Sequence, residues 1–159
     1  MESSDSVKIA YRPNVALILE DPTGQILIGE RRDIAGAWQF PQGGVRKGES
    51  FEGALHREVQ EEILLAPNSY QIQESKGPYR YQFPKGLEKY GTIGQEQHYF
   101  RALFLGEKSL LKMSDTSHEF RALRWIATNE FQLSWLPPMK RPVYKKIFHD
   151  FFHLDLASF

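Results

Sequence analysis

The chain has 159 residues, 41% of them hydrophobic, enough for one globular domain with a full core. Lysine plus arginine equal aspartate plus glutamate at 20 each, so the net charge of zero argues against broad electrostatic binding along nucleic acid, while leaving room for a local basic pocket. With no cysteine, disulfides, cysteine-based zinc sites and cysteine nucleophiles are excluded; the polar start MESSDSVK is no secretory signal and no stretch approaches the roughly 18 apolar residues of a membrane helix, so the cytoplasm is the default location.

Residues 1–8 read as a flexible tail and 9–159 as a single domain. Tyr11-Arg12-Pro13-Asn14 leads into Val15–Leu19, an apolar run consistent with a buried strand. A turn at Asp21-Pro22-Thr23-Gly24 precedes a second strand, Gln25–Gly29. Arg31 and Arg32 at its end are either surface charge or, for Arg32, a bidentate clamp on phosphate. Trp38 and Phe40 are either core or a ligand platform, and Pro41-Gln42 runs directly into the glycine-rich loop.

That loop carries Gly43, Gly44 and Gly48, which permit close approaches that a Cβ would block. Ser50 caps a helix whose apolar stripe runs through Leu55, Val59 and Ile63, and Pro67 stops it. Glu58, Glu61 and Glu62 stand at i, i+3 and i+4 and crowd one face. Like charges so spaced cost about 0.2–0.5 kcal/mol per pair on an exposed helix. Either they form a solvated face with Arg57 paired to Glu61, or they converge beneath the glycine loop as hard oxygen ligands for magnesium.

Beyond the helix, Ser69–Glu74 and Tyr79–Phe83 alternate as two strands separated by Lys76-Gly77-Pro78. Pro84 to Gly94 is a loop with Lys85 and Lys89, long enough for a substrate-facing flap, and Gln97–Leu105 is the next strand. Gln95 and His98 have either ordinary hydrogen-bonding roles or a place in the site. The polar run Ser114 to Phe120 precedes a strand at Ala122–Ile126. Thr128 or Asn129 caps a short helix that Pro137-Pro138 ends. The last helix, from near Lys140, buries Val143, Tyr144, Ile147, Phe148, Phe151 and Phe152. His149 and His153 lack a third zinc ligand and read as surface residues. The apolar tail Phe151 to Phe159 packs within the monomer or against a second copy in a homodimer. Strands around a central helix, with another helix closing the chain, make an α/β fold with a mixed sheet.

The segment GGVRKGESFEGALHREVQEEILL resembles the signature of the Nudix hydrolases, matched at Gly43, Glu49, Arg57, Glu58, Val59, Glu61 and Glu62 with the spacing intact. One position departs: the glycine near the helix end is Leu64 here, which bears on the helix cap rather than the metal site. The runs WQFPQGG and IGQEQHYF are similar to those of the branch holding bacterial RNA 5′-pyrophosphohydrolases and dinucleoside polyphosphate hydrolases. The resemblance implies a Nudix α/β/α sandwich that hydrolyses a phosphoanhydride with magnesium, or manganese in its place, as more than one ion. The implied metal ligands are Glu58, Glu61 and Glu62 with a carbonyl at Gly43 or Gly44; Glu119, in a matching Glu-Phe…Trp context, is a further ligand or the general base. Arg57 and Glu49 brace the loop against the helix.

At matching positions the resemblance implies phosphate and nucleotide contacts from Arg12, Arg32, Gln95 and Lys140, beside Gln42 and His98. The base-stacking aromatic expected near the last helix is Met139 here, with Phe40, Tyr99 or Trp135 as substitutes. The expected substrate is the 5′-triphosphate end of RNA; free purine nucleoside triphosphates and dinucleoside polyphosphates fit the same machinery. A Nudix-fold protein that binds without turnover is expected to lose the carboxylates, and all three are present.

Overall fold

The computed structural model describes residues 10–89, 91–113 and 116–157. The expected tail over 1–8, Tyr90 in the loop, Ser114 and Asp115 in the polar run, and Phe159 at the apolar end lie outside the described residues.

The strand β1 (Tyr11–Glu20) organises everything else, because its run Val15–Leu19 is wholly buried on both faces. Successive side chains of a strand point to opposite sides. Ala16 and Ile18 therefore enter one core layer, and Val15, Leu17 and Leu19 enter another. The second layer lies under α1 (Phe51–Ile63) through Ala54, Leu55, Val59 and Ile63. The first lies under α2 (Arg141–Phe152) through Val143, Tyr144, Ile147, Phe148 and Phe151, as the amphipathic spacing requires. The result is the expected sandwich, helix on sheet on helix.

The sheet is mixed. On one side β1 pairs in parallel with β6 (Gly94–Phe104), which pairs antiparallel with β5 (Tyr70–Gln82) at the edge. On its other side β1 has two partners in succession. Its first half takes β4 (Gln42–Gly44), with Asn14 opposite Gly44 and Ala16 opposite Gln42; only at Glu20 does it meet β2 (Ile26–Arg31). Between them the Leu17 N–H donates to the Pro41 carbonyl at 2.9 Å. β2 continues to β3 (Trp38–Gln39) and to β7 (Phe120–Ile126). This parting of the sheet beside β1 leaves room for the glycine loop and for the start of β7.

Two expected elements differ. The two strands placed at 69–74 and 79–83 are one strand, β5, whose register against β6 shifts between Ile72 and Glu74 and again between Lys76 and Tyr79. Gly77-Pro78 is absorbed as an irregularity at the edge, where proline's missing donor faces no partner strand. The short helix expected after Thr128 is a series of single 3₁₀ turns, at Thr128–Glu130, Leu133–Trp135 and Pro138–Lys140. Their polar spacers are too short for a full α-turn, and Phe131, Leu133 and Leu136 are pinned into the core individually. At the chain end, Phe151 and Leu156 are buried within this same core. No helix among the described residues is long and apolar enough to cross a membrane.

Helix α1 starts as expected, with the Ser50 hydroxyl accepting from the Gly53 N–H at 3.0 Å. It ends at Leu64 itself, not at Pro67. Leu64 adopts the left-handed conformation, φ 57° and ψ 36°, and its N–H donates to the Gln60 carbonyl at 3.2 Å. A β-carbon in that region costs about 1–2 kcal/mol, which glycine avoids. The Leu64 side chain is half exposed and returns little by burial. Leu64→Gly is therefore expected to raise stability by about 0.5–1 kcal/mol after the entropy glycine adds to the unfolded chain, seen as a melting temperature roughly 1–4 °C higher. Leu64→Ala, which keeps the β-carbon, should show no gain; a lower melting temperature for Leu64→Gly would contradict the strain argument.

Candidate active site

The glycine loop is fastened to α1 by one guanidinium. Arg57 gives its Nε to Glu49 Oε2 at 2.6 Å and one terminal nitrogen to both Glu49 Oε1 and the Gly44 carbonyl, at 2.9 and 2.8 Å. Its other terminal nitrogen donates to Glu58 Oε1 at 2.7 Å and Glu61 Oε1 at 3.3 Å. Glu49 Oε1 also accepts from the Arg46 N–H at 2.7 Å. These bonds hold the Glu49 carboxyl down to about 2 and raise Arg57 further above its ordinary value. The expected bracing pair is thus formed, behind the site rather than in it. The loop glycines are needed for contact: a β-carbon on Gly43 would collide with the Glu58 carboxylate, and one on Gly44 with the Arg12 guanidinium.

The loop, α1, the start of β7, the ends of β5 and β6, and the turn before α2 enclose a cavity of about 360 Å³. It gathers Arg12, Gln42, Gly43, Gly44, Glu58, Glu62, Gln95, Glu119, Met139 and Lys140 from the sequence-derived candidates. Glu58 and Glu62, one helical turn apart, face it together. Glu61, at i+3 from Glu58, does not line it. Its carboxylate is 48% exposed and lies between Arg57 and Arg46.

Glu119 stands just before β7, at intermediate exposure. It accepts from Gln39 Nε2 at 3.0 Å and from the Gln42 N–H at 3.2 Å. Desolvation of its carboxylate outweighs those bonds and, with Glu62 and Glu58 nearby, drives its pKa well above the ordinary range. Glu58 is pushed the same way, again first by burial. Glu62 is held by the Ser117 hydroxyl and by the His118 and Glu119 N–H groups at 3.3 and 3.4 Å. Carboxylates gathered so closely that Glu62 helps push both Glu58 and Glu119 upward are suited to sharing a cation. Their donors are all hard oxygens, the type that divalent magnesium or manganese takes. By donor type and charge the residues fit a divalent ion, although no three acidic or imidazole side chains among the described residues are grouped tightly enough to hold one as they stand.

Cations line the cavity as well. Lys140 is only 6% exposed and donates to Gln39 Oε1 at 2.9 Å, so one amide bridges the buried ammonium and the Glu119 carboxylate. Burial, then the charge of Arg31, lowers the Lys140 pKa to about 8. Lys89 and Arg31 line the cavity too, so one lysine of the expected flap does reach the site. Gln95 is 7% exposed and its Oε1 is buried without a hydrogen-bond partner. Gln42 is held through its Oε1, which accepts from Gln97 Nε2 at 2.5 Å; Gln97 also donates to Asn14 Oδ1 at 3.0 Å.

Three expected contacts lie elsewhere. Arg32 turns away and donates to the carbonyls of Ser117 and Phe120 at 3.0 and 3.2 Å. Arg31, the last residue of β2, lines the cavity instead, at a point where β7 carries one extra residue, Arg121, between the partners of Glu30 and Arg31. Phe40 is fully buried, stacked on Tyr144 with ring centroids 5.4 Å apart, and cannot meet a ligand. His98 has the opposite parity to Gln95 and Gln97 on β6, and stacks over Phe51 at the head of α1, centroids 4.0 Å apart. Tyr99 and Trp135, named as substitute base platforms, are engaged in the aromatic core. The aromatic faces that do line the cavity are Tyr81 and Phe83. Their alternation with Tyr79 was visible in the sequence, but which face of β5 would meet the site was not. His149 lies 3.1 Å from Asp155 on the surface, in keeping with its reading as a surface residue.

The chain matches the NUDIX domain over residues 10–151. It is 40% identical over 144 residues to an RNA pyrophosphohydrolase of Helicobacter pylori, covering 86% of this chain and 90% of the relative. It is 37% identical over 147 residues to an RNA pyrophosphohydrolase of Hahella chejuensis, covering 89% and 90%. Among solved structures it is similar to a MutT protein from Methanosarcina mazei, with a TM-score of 0.65, 18% identity and coverage of 91% and 97%. It also resembles the E. coli dihydroneopterin triphosphate pyrophosphohydrolase, with a TM-score of 0.59, 19% identity and coverage of 76% and 84%. These likenesses carry the fold, whereas the domain match and the relatives at this identity carry the family: the chain belongs to the Nudix family.

Proposed function

We propose that the protein is a magnesium-dependent pyrophosphohydrolase that removes pyrophosphate from the 5′-triphosphate end of RNA and leaves a 5′-monophosphate. The observation that carries the reading is a cavity lined both by the carboxylates Glu58, Glu62 and Glu119 and by the cations Arg31, Lys89 and Lys140. The relatives named RNA pyrophosphohydrolase, aligned over most of their length, support the choice of substrate.

In this reading Glu58, Glu62 and Glu119, with Glu61 and a carbonyl of Gly43 or Gly44, hold more than one magnesium ion. Bound there, such ions neutralise phosphate charge and make water nucleophilic at neutral pH. The protein's own groups do the positioning. Lys140 and Arg12 hold phosphate oxygens, and Gln42 and Gln95 present amides to the nucleotide. Tyr81, Phe83 and Met139 give a base its apolar contact, and the Arg57 brace keeps the loop at a fixed distance from the carboxylates. Glu119, tethered by Gln39 and the Gln42 N–H, is placed to take the proton of the attacking water or to serve as a ligand.

Triphosphorylated RNA, diadenosine tetraphosphate and GTP, compared side by side with magnesium, test the assignment. RNA is expected to give the highest kcat/KM with a 5′-monophosphate product; preference for either small substrate would move the protein to free-nucleotide chemistry. Glu58→Gln and Glu62→Gln should each lower kcat by about 100-fold or more while melting as the wild type does. Full turnover in either would remove the metal assignment.

Lys140 gives a pH signature. Its folded pKa of about 8 lies below the unfolded value, so the ammonium is charged below pH 8 and is lost above it. KM for triphosphorylated RNA should therefore climb as pH passes about 8, and Lys140→Met should have a raised KM without that inflection. Between pH 8 and the unfolded value near 10.5 the unfolded chain binds more protons, so stability of the free enzyme should increase with pH. Denaturant melts showing the same slope in Lys140→Met would refute the assignment.

A further inference from the structure

Among the cations that line the cavity stands a further carboxylate. Arg31, at the end of β2 with only 16% of its side chain exposed, presents its guanidinium fork to Asp33, two residues on: Nε to Oδ1 at 2.9 Å and a terminal nitrogen to Oδ2 at 2.7 Å. Both residues line the cavity, with Lys89 and Lys140. All four belong to one electrostatic cluster: Arg31, Asp33 and Lys89 each act on the titration of Lys140, and Lys89 on that of Asp33. The Asp33 side chain is 66% exposed, so it neither supports the core nor is trapped by it. A carboxylate and a terminal phosphate offer an arginine fork the same feature, two oxygens at matching separation.

We infer that Asp33 occupies the Arg31 fork as a resident stand-in for phosphate, so that a polyphosphate must displace it to gain Arg31, which makes Asp33 a specificity-determining residue of this site. The end of β2 brings Arg31 to the cavity, and the loop after it supplies the occupant. Displacement favours a terminal phosphate, which carries up to two charges and three free oxygens, over a bridging one with a single charge. The pair thus biases the site toward polyphosphates with a free end and against dinucleoside polyphosphates, whose phosphates are all bridged. This rests on reading the cavity as a polyphosphate site, and not on which nucleotide carries the phosphates.

The test is calorimetric binding of inorganic pyrophosphate, with magnesium, to the full chain and its variants. An exposed ion pair is worth up to about 1 kcal/mol, so Asp33→Asn should bind pyrophosphate about 3- to 5-fold tighter than wild type. In an Arg31→Gln background the same change should yield about 1.5-fold or less. Glu30→Gln, an equal change of charge from a residue that does not line the cavity, should leave affinity as in the wild type. With substrates, Asp33→Asn should narrow the kcat/KM ratio of triphosphorylated RNA to diadenosine tetraphosphate. Unchanged or weaker pyrophosphate binding by Asp33→Asn, or a gain that survives intact in Arg31→Gln, would overturn the inference while leaving the polyphosphate site standing. Absence of pyrophosphate binding in every variant, wild type included, would overturn both.

Discussion

The arrangement depends on the Arg57 guanidinium. It joins Glu49 and the Gly44 carbonyl on the loop to Glu58 and Glu61 on the helix. Five donors in a rigid plane can do this where a lysine point charge cannot. Without that fork, a glycine-rich stretch between a three-residue strand and a helix N-terminus would sample many conformations. Because Arg57 also neutralises part of the glutamate cluster, it offsets the like-charge repulsion that three carboxylates on one helix face create. The same side chain therefore fixes the loop and makes the acidic helix tolerable to the fold.

The second constraint is the division of labour along β1. Its alternation feeds two cores, and both neighbouring helices anchor to it, so the sheet stays rigid where β1 and β6 run in parallel. Its other edge changes partner from β4 to β2, and the polar groups come in where the sheet parts. Glu119 precedes β7, Gln39 ends β3, and Gln42 opens β4. Buried amides then set the spacing of charges. Gln39 stands between Lys140 and Glu119, with its carbonyl toward the ammonium and its N–H toward the carboxylate, so the two opposite charges are linked without collapsing into a direct pair.

Much of this was legible in the sequence, and what was not has identifiable causes. The helix α1, its Ser50 cap, the buried β1 and the stripe on α2 follow from periodicity and capping, both local properties. The carboxylates Glu58 and Glu62 follow from helical geometry, but Glu61 shows its limit: i, i+3 and i+4 share a face only broadly, and one of three can be drawn outward by Arg57 and Arg46. Arg31 rather than Arg32 meets the cavity because β2 ends at Arg31 and the Arg32 guanidinium is taken up by the carbonyls of Ser117 and Phe120, partners 85 and 88 residues away that alternation cannot anticipate. Phe40 and His98 failed for a related reason. A motif fixes residue types and spacing, but the face on which each side chain emerges is decided by which helix covers which side of the sheet. Tyr81 and Phe83 lie in a run that alternation marks as a strand, but which of its faces meets the cavity depends on how the sheet is covered.

Met139 brings these points together. It lines the cavity beside Lys140, where the resembling branch led to an aromatic ring, and it is flexible and polarizable rather than planar. A planar base wants a flat partner, and the two rings in the wall are Tyr81, near the end of β5, and Phe83, just beyond it, both in the core layer that α2 covers. The apolar surface of the cavity is thus offered by Tyr81 and Phe83 as well as by Met139, while its charged groups come from β1, the end of β2, α1, the segment before β7 and the turn before α2. Phosphate chemistry demands charge at fixed points and leaves little freedom. Contact with a base demands only a surface, which either side of the same cavity can supply.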